Sequence, residues 1–102
     1  MLRSFSYATY ASLTGYATRH AGDVANLERW AQLWERSVAA EFLRTYRQVA
    51  GDANFVPAAT EDFRALLDIF LLNKALYEVF YELNSRPAWV HIPLLGLLSL
   101  PL

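Results

Sequence analysis

The sequence has no cysteine and only four glycines in 102 residues. Without cysteine, the chain can form neither a disulfide bond nor a thiolate metal site. The four glycines match neither of the glycine-rich phosphate-binding patterns, so we expect no cradle for ATP phosphates in this chain. Hydrolase patterns of the Gly-x-Ser-x-Gly and Ser-x-x-Lys types are also absent, and we therefore predict no catalytic residue.

Positive and negative side chains are nearly balanced in number, and histidine is scarce. Nine Lys and Arg stand against ten Asp and Glu, which gives a formal net charge of -1 and offers no field that would attract nucleic acid. The two histidines, His20 and His91, do not belong to an H-E-x-x-H motif or a related one. The sequence therefore predicts neither a nucleic-acid partner nor a metal site.

No hydrophobic run is long enough to span a membrane. Residues 90–102 are almost wholly apolar, but two prolines and a glycine interrupt them, and they fall short of the ~20 residues that a span requires. The first residues have no apolar core of a signal peptide and no cleavage site. We therefore expect no membrane partner and a cytoplasmic location.

What the chain does have is apolar side chains, at 55% of residues against 19% charged. The length predicts one folding unit over residues 1–102, but a chain of this size leaves roughly a third of its surface wet. We therefore expect part of the apolar surface to serve a partner, including a second copy of the chain in a homo-oligomer.

The hydrophobic spacing predicts an all-α fold of about four helices. We place Asp23 and Thr60 as N-caps, and we end the third helix before Pro87, because the residue before a proline avoids the helical region. In the second helix we expect one buried apolar face, running from Leu27 to Tyr46. The predicted helices cover residues 2–19, 24–50, 61 to 83 or 84, and 93–98.

One face of the third helix is apolar in its first half and carries polar and aromatic side chains in its second half. Successive helical residues lie about 100° apart, which places polar and aromatic side chains of its second half in line with apolar ones of its first half. Tyrosine rings beside hydrogen-bonding groups suit a sugar. The same pattern is also typical of an ordinary amphipathic helix, with Lys74 and Glu78 as a pair of opposite charges one turn apart. The polar set comprises Lys74, Tyr77, Tyr81 and Asn84, and the apolar set Phe63, Leu66, Leu67 and Phe70.

Residues 70–94 contain the runs Lys-Ala-Leu-Tyr-Glu, Tyr-Glu-Leu-Asn and Arg-Pro-x-Trp. This segment resembles the C-terminal signature of maltokinases, including those fused to trehalose synthase. Residues 1–8 are similar to the segment that follows the metal-binding loop in that family, so the resemblance covers essentially the whole chain. One departure is Leu95, where we expect a basic residue in relatives.

The resemblance implies the helical C-lobe of an aminoglycoside-phosphotransferase-like kinase. Such a kinase uses ATP and Mg²⁺ to phosphorylate the anomeric hydroxyl of maltose, and maltose 1-phosphate then feeds glycogen and α-glucan synthesis. It also implies that maltose or a related glucoside binds residues of the C-lobe. Carried over to this sequence, the substrate-binding residues are Tyr77, Tyr81 and Glu82, with Asn84 and Arg86 as further candidates.

The catalytic His-Gly-Asp loop and the Asp-Phe-Glu metal-binding segment of the family do not occur in this sequence. We expect both to lie N-terminal to Met1 in the intact enzyme, so this chain alone should hold no cofactor and show no turnover. The expected partners are an N-terminal kinase part or a trehalose synthase. The alternative from the same residues is a stand-alone helical interaction module without enzymatic activity.

Overall fold

The computed structural model describes residues 1–101, apart from the side chain of Ala21. It confirms the predicted all-α class and the number of helices. Short 3₁₀ turns at Ala21–Asp23 and Pro87–Trp89 precede the second and fourth helices. Across the described residues, the helices are α1 (Leu2–Ala17), α2 (Val24–Ala50), α3 (Thr60–Ser85) and α4 (His91–Leu98).

Helix α1 ends two residues earlier than predicted. The amides of Arg19 and His20 both donate to the carbonyl oxygen of Tyr16, each at 3.0 Å, so the last turn tightens instead of continuing. The ring of His20 then stacks on that of Tyr16, with 4.3 Å between the ring centroids.

The predicted cap at the start of α3 is wrong by one residue. Thr60 is the first helical residue, and Ala59, with an extended backbone, occupies the N-cap position without a side-chain hydrogen bond. The carbonyl oxygen of Ala59 accepts from the amide of Phe63 at 3.0 Å, which starts the helix through the backbone alone. At the start of α2, Asp23 is the last residue of a 3₁₀ turn that leads directly into the helix.

Helix α4 begins at His91, two residues before the predicted start at Pro93. A proline in the first turn costs no hydrogen bond, since the first four helical amides have no acceptor within the helix. No helix within the described part of the chain is both long and apolar enough to cross a membrane.

The chain divides into two compact units, of which the first is Met1–Tyr46 and the second starts at Arg47. In the first unit, the ring of Phe5 on α1 packs edge-on against Trp34 and Phe42 of α2, at centroid distances of 6.5 and 5.8 Å. The hydroxyl of Ser6 also donates to Glu35. These contacts hold α1 along α2.

The apolar face predicted for α2 is only partly covered. Phe42 is half-buried, but Trp30, Trp34 and Tyr46 are exposed, and none of the described residues of α2 is fully buried. The prediction of a buried face is therefore wrong, because α1, which packs against α2 within the first unit, cannot cover so broad a stripe.

The second unit is centred on α3. Among its described residues, the buried apolar ones are Ala75 of α3 together with Ile92 and Pro93 of α4. Two carboxylates of α3, Glu78 and Glu82, are buried as well. The 3₁₀ turn and α4 pack against the same helix and so position its C-terminal end.

Candidate functional site

Two tyrosines form a stacked, exposed pair near the C-terminal end of α3. Tyr77 and Tyr81 lie one helical turn apart, with 6.5 Å between ring centroids and 24° between ring planes. Tyr77 is 60% exposed and Tyr81 49% exposed. Because residues four apart share a face of a helix, the sequence spacing alone places these rings side by side.

A cationic side chain lies against each of the two rings. The Nζ atom of Lys74 is 4.8 Å from the centroid of Tyr77, and the Cζ atom of Arg86 is 5.8 Å from that of Tyr81. Arg86 also lies over the ring of Trp89, at 4.2 Å from its centroid. These distances are within cation–π range. We call this line of five side chains, Lys74, Tyr77, Tyr81, Arg86 and Trp89, the aromatic ladder.

The backbone after α3 brings Trp89 to Arg86. Arg86 leaves the helical region, with φ -140° and ψ 73°, because it precedes Pro87. Its amide still donates to the carbonyl oxygen of Glu82 at 2.8 Å, and its carbonyl oxygen accepts from the amide of Trp89 at 2.8 Å. In a 3₁₀ turn, residues three apart stand one above the other, which puts the indole beneath the guanidinium.

Glu82 lies apart from the exposed tyrosine face. Its side chain is fully buried, and its Oε1 atom accepts from Nη2 of Arg86 at 2.8 Å and from Nε at 3.3 Å. Its other oxygen, Oε2, is buried without a hydrogen-bond partner among the described residues. The carboxylate thus contacts the ladder through Arg86.

The side-chain amide of Asn84 bonds to its own helix, since Nδ2 donates to the carbonyl oxygen of Phe80 at 2.8 Å.

Of the five residues predicted from the sequence, the structure therefore brings Tyr77, Tyr81 and Arg86 together on one surface, with Glu82 beneath Arg86. Lys74 and Trp89 were not in that set. The signal that points to Trp89 is its spacing of three residues from Arg86 across Pro87.

Within residues 1–101, no group of three or more His, Cys, Asp or Glu side chains is arranged to hold a metal ion. The Nδ1 atom of His91 lies 3.0 Å from the carbonyl oxygen of Ala88, in the turn just before α4. His20 stacks on Tyr16, as described above.

A groove lies in the first unit, between α1 and α2. This groove has a volume of about 620 Å³, and Tyr16, Trp30 and Trp34 form part of its wall. Its lining is mainly apolar, and the hydroxyl-bearing side chains in it are Thr9, Ser12 and Tyr16. The described side chains that line it include no carboxylate, imidazole, amine or thiol.

Comparison with known proteins found no family model that matches the chain and no solved structure that matches it.

Proposed function

We propose that this chain is the C-terminal, sugar-binding part of an ATP-dependent maltokinase. The observation that carries the proposal is the stacked pair of exposed tyrosines with a cation beside each ring. In this proposal the chain binds and orients maltose or a related glucoside. The product of the complete enzyme is maltose 1-phosphate, made in the cytoplasm for glycogen and α-glucan synthesis.

The chemistry of the aromatic ladder supports a sugar as ligand. The C–H face of a pyranose stacks on an aromatic ring, and its hydroxyl oxygens accept from N–H donors beside that ring. Tyr77 and Tyr81 offer two rings in succession, and Lys74 and Arg86 each place a charged donor over one of these rings. Hydrogen bonds from charged donors are stronger than neutral ones, so a few of them suffice to orient a sugar.

We propose that ATP and Mg²⁺ bind to another part of the enzyme and not to this chain. In this proposal, the catalytic loop and the metal-binding segment belong to a kinase part, which is attached to a trehalose synthase in some maltokinases. The role of this chain is then to hold the acceptor hydroxyl where that part can phosphorylate it, which is a contribution through positioning.

A complementation assay tests the proposal. The chain is mixed with a separately produced kinase part that contains the His-Gly-Asp loop and the Asp-Phe-Glu segment. ATP-dependent formation of maltose 1-phosphate is expected only in the mixture, and Tyr77→Ala together with Tyr81→Ala should abolish it. Equal product formation with the wild-type and the doubly substituted chain would refute the sugar-site assignment.

The second candidate function is a helical interaction module without enzymatic activity. The observation in its favour is a further exposed apolar face on α3, formed by Ile69, Leu76, Phe80 and Leu83. Surfaces of this kind often mark protein interaction sites. This function predicts self-association, or a stable complex with a kinase part, but no sugar binding.

A further inference from the structure

The ion pair of Glu82 and Arg86 is unusual because its two halves lie in different environments. The Glu82 side chain is 0% exposed, whereas that of Arg86 is 46% exposed. Two N–H groups of the guanidinium donate to the same carboxylate oxygen. The buried carboxylate therefore fixes the orientation of a cation that reaches the surface.

Burying a carboxylate in this position opposes folding. Removing a charge from water carries a large desolvation penalty, and apolar residues of similar size often stabilise a protein at least as well as a buried ion pair. The unpartnered Oε2 atom adds to that penalty, since a buried acceptor without a donor is unfavourable. A contribution to folding stability alone therefore does not explain why the Glu82 carboxylate is buried.

The position of the Arg86 guanidinium explains the burial of Glu82 better. Held by Glu82, it lies over the indole of Trp89 at 4.2 Å and beside the ring of Tyr81 at 5.8 Å. The flat faces of the two tyrosines are thereby extended by a planar cation and a third ring. An arginine that is already ordered loses less rotamer freedom when it binds a ligand.

We infer that Glu82 is a positioning residue, which acts on a bound sugar only through Arg86, and that Trp89 completes the binding surface. This inference rests on the proposed function. It assigns Glu82 no direct contact with the ligand, in contrast to the role implied by the maltokinase resemblance. It also adds Trp89, which is not among the five substrate-binding residues predicted from the sequence.

The test is a titration of the ¹⁵N-labelled chain with maltose, followed by NMR. The indole N–H signals of the three tryptophans report on the surroundings of each ring, and Trp89→Phe assigns the relevant one. Glu82→Gln should weaken maltose affinity by about three- to tenfold, which corresponds to the ordering cost of one long side chain. It should also move the Trp89 indole signal in the absence of sugar. Glu61→Gln, an exposed change in the first turn of α3, is the matched control and should do neither.

A double-mutant cycle separates positioning from direct contact. If Glu82 acts through Arg86, Glu82→Gln should add no further loss of affinity to Arg86→Lys. Additive losses, or an unchanged affinity of Glu82→Gln, would overturn the inference while leaving the sugar-binding function intact. Absence of maltose binding by the wild-type chain would instead refute the proposed function, and the inference with it. Circular dichroism of each variant confirms that its helices are intact.

Discussion

Glu82 and Arg86, one helical turn apart at the end of α3, form an ion pair whose acid is fully buried and whose base is about half exposed. Because of this asymmetry, we expect neutralising Arg86 and neutralising Glu82 to lower the free energy of unfolding by unequal amounts. Arg86→Gln leaves a buried carboxylate without its counter-charge and should lower the free energy of unfolding by about 3 kcal/mol. Glu82→Gln removes the buried charge and keeps a hydrogen-bond acceptor, so it should cost less than about 1 kcal/mol. Urea denaturation followed by circular dichroism measures both, and equal losses would contradict the asymmetry.

Replacing two of the glycines by alanine should change the stability of the chain in opposite directions. Gly15 lies within α1, and Gly51, just after α2, has a φ of 55°; neither has an atom within 4 Å of an added Cβ. Gly15→Ala should stabilise the chain by about 0.5–1 kcal/mol, because glycine is a poor helix former. Gly51→Ala should destabilise it by about 1 kcal/mol, because a Cβ disfavours the left-handed region. Thermal unfolding of both variants provides the measurement, and shifts of the same sign would be inconsistent with these backbone conformations.

Glu41 is expected to titrate at lower pH than an ordinary glutamate. Hydrogen bonds from Arg44 hold the pKa of Glu41 below its usual value. A lowered pKa in the folded state contributes stability above the pKa of the unfolded chain, and that contribution is lost as the pH falls through the folded value. Arg44→Gln should therefore raise the pKa of Glu41, as measured by NMR of its side-chain carboxyl. Arg36→Gln is the control and should leave it unchanged, while overall stability should barely respond because the pair is exposed.

The exposed apolar face of α3 predicts self-association. Phe80 is 70% exposed and lies beside other exposed apolar side chains of the same helix. Phe80→Ser should shift the chain towards monomer in sedimentation equilibrium, because it removes apolar area from that face. Phe55→Ser is a matched control, since Phe55 is equally exposed but lies between α2 and α3. The same shift with both variants would show that the face itself has no special role.

The helices could be predicted well from the sequence, and their ends less well. The predicted bounds of α2 agree with the structure, because no proline or glycine lies between Val24 and Ala50 and Gly51 follows directly. The errors at the end of α1 and at the starts of α3 and α4 concern one or two residues. They depend on individual backbone hydrogen bonds, such as those to Tyr16, which periodicity does not report.

The candidate site was predictable only where it depends on one helix. The spacing of Tyr77 and Tyr81 fixes their common face, so the stacked pair follows from sequence alone. The burial of Glu82 depends on how the 3₁₀ turn and α4 pack against α3, and that packing has no local signature. The position of Trp89 depends on the backbone turn at Arg86, for which Pro87 was the only visible cue.

Direct titration of the chain with maltose tests the central claim, that the tyrosine pair on α3 binds a sugar. In ¹H–¹⁵N NMR spectra, maltose should shift amide signals within residues 74–89, with sorbitol as the control for a non-specific polyol effect. Tyr81→Ala should weaken binding by about tenfold, the loss expected for one stacked ring. Tyr46→Ala, which removes a similarly exposed tyrosine from α2, should leave affinity unchanged. Shifts spread over all helices, or equal affinity of wild type and Tyr81→Ala, would contradict the claim.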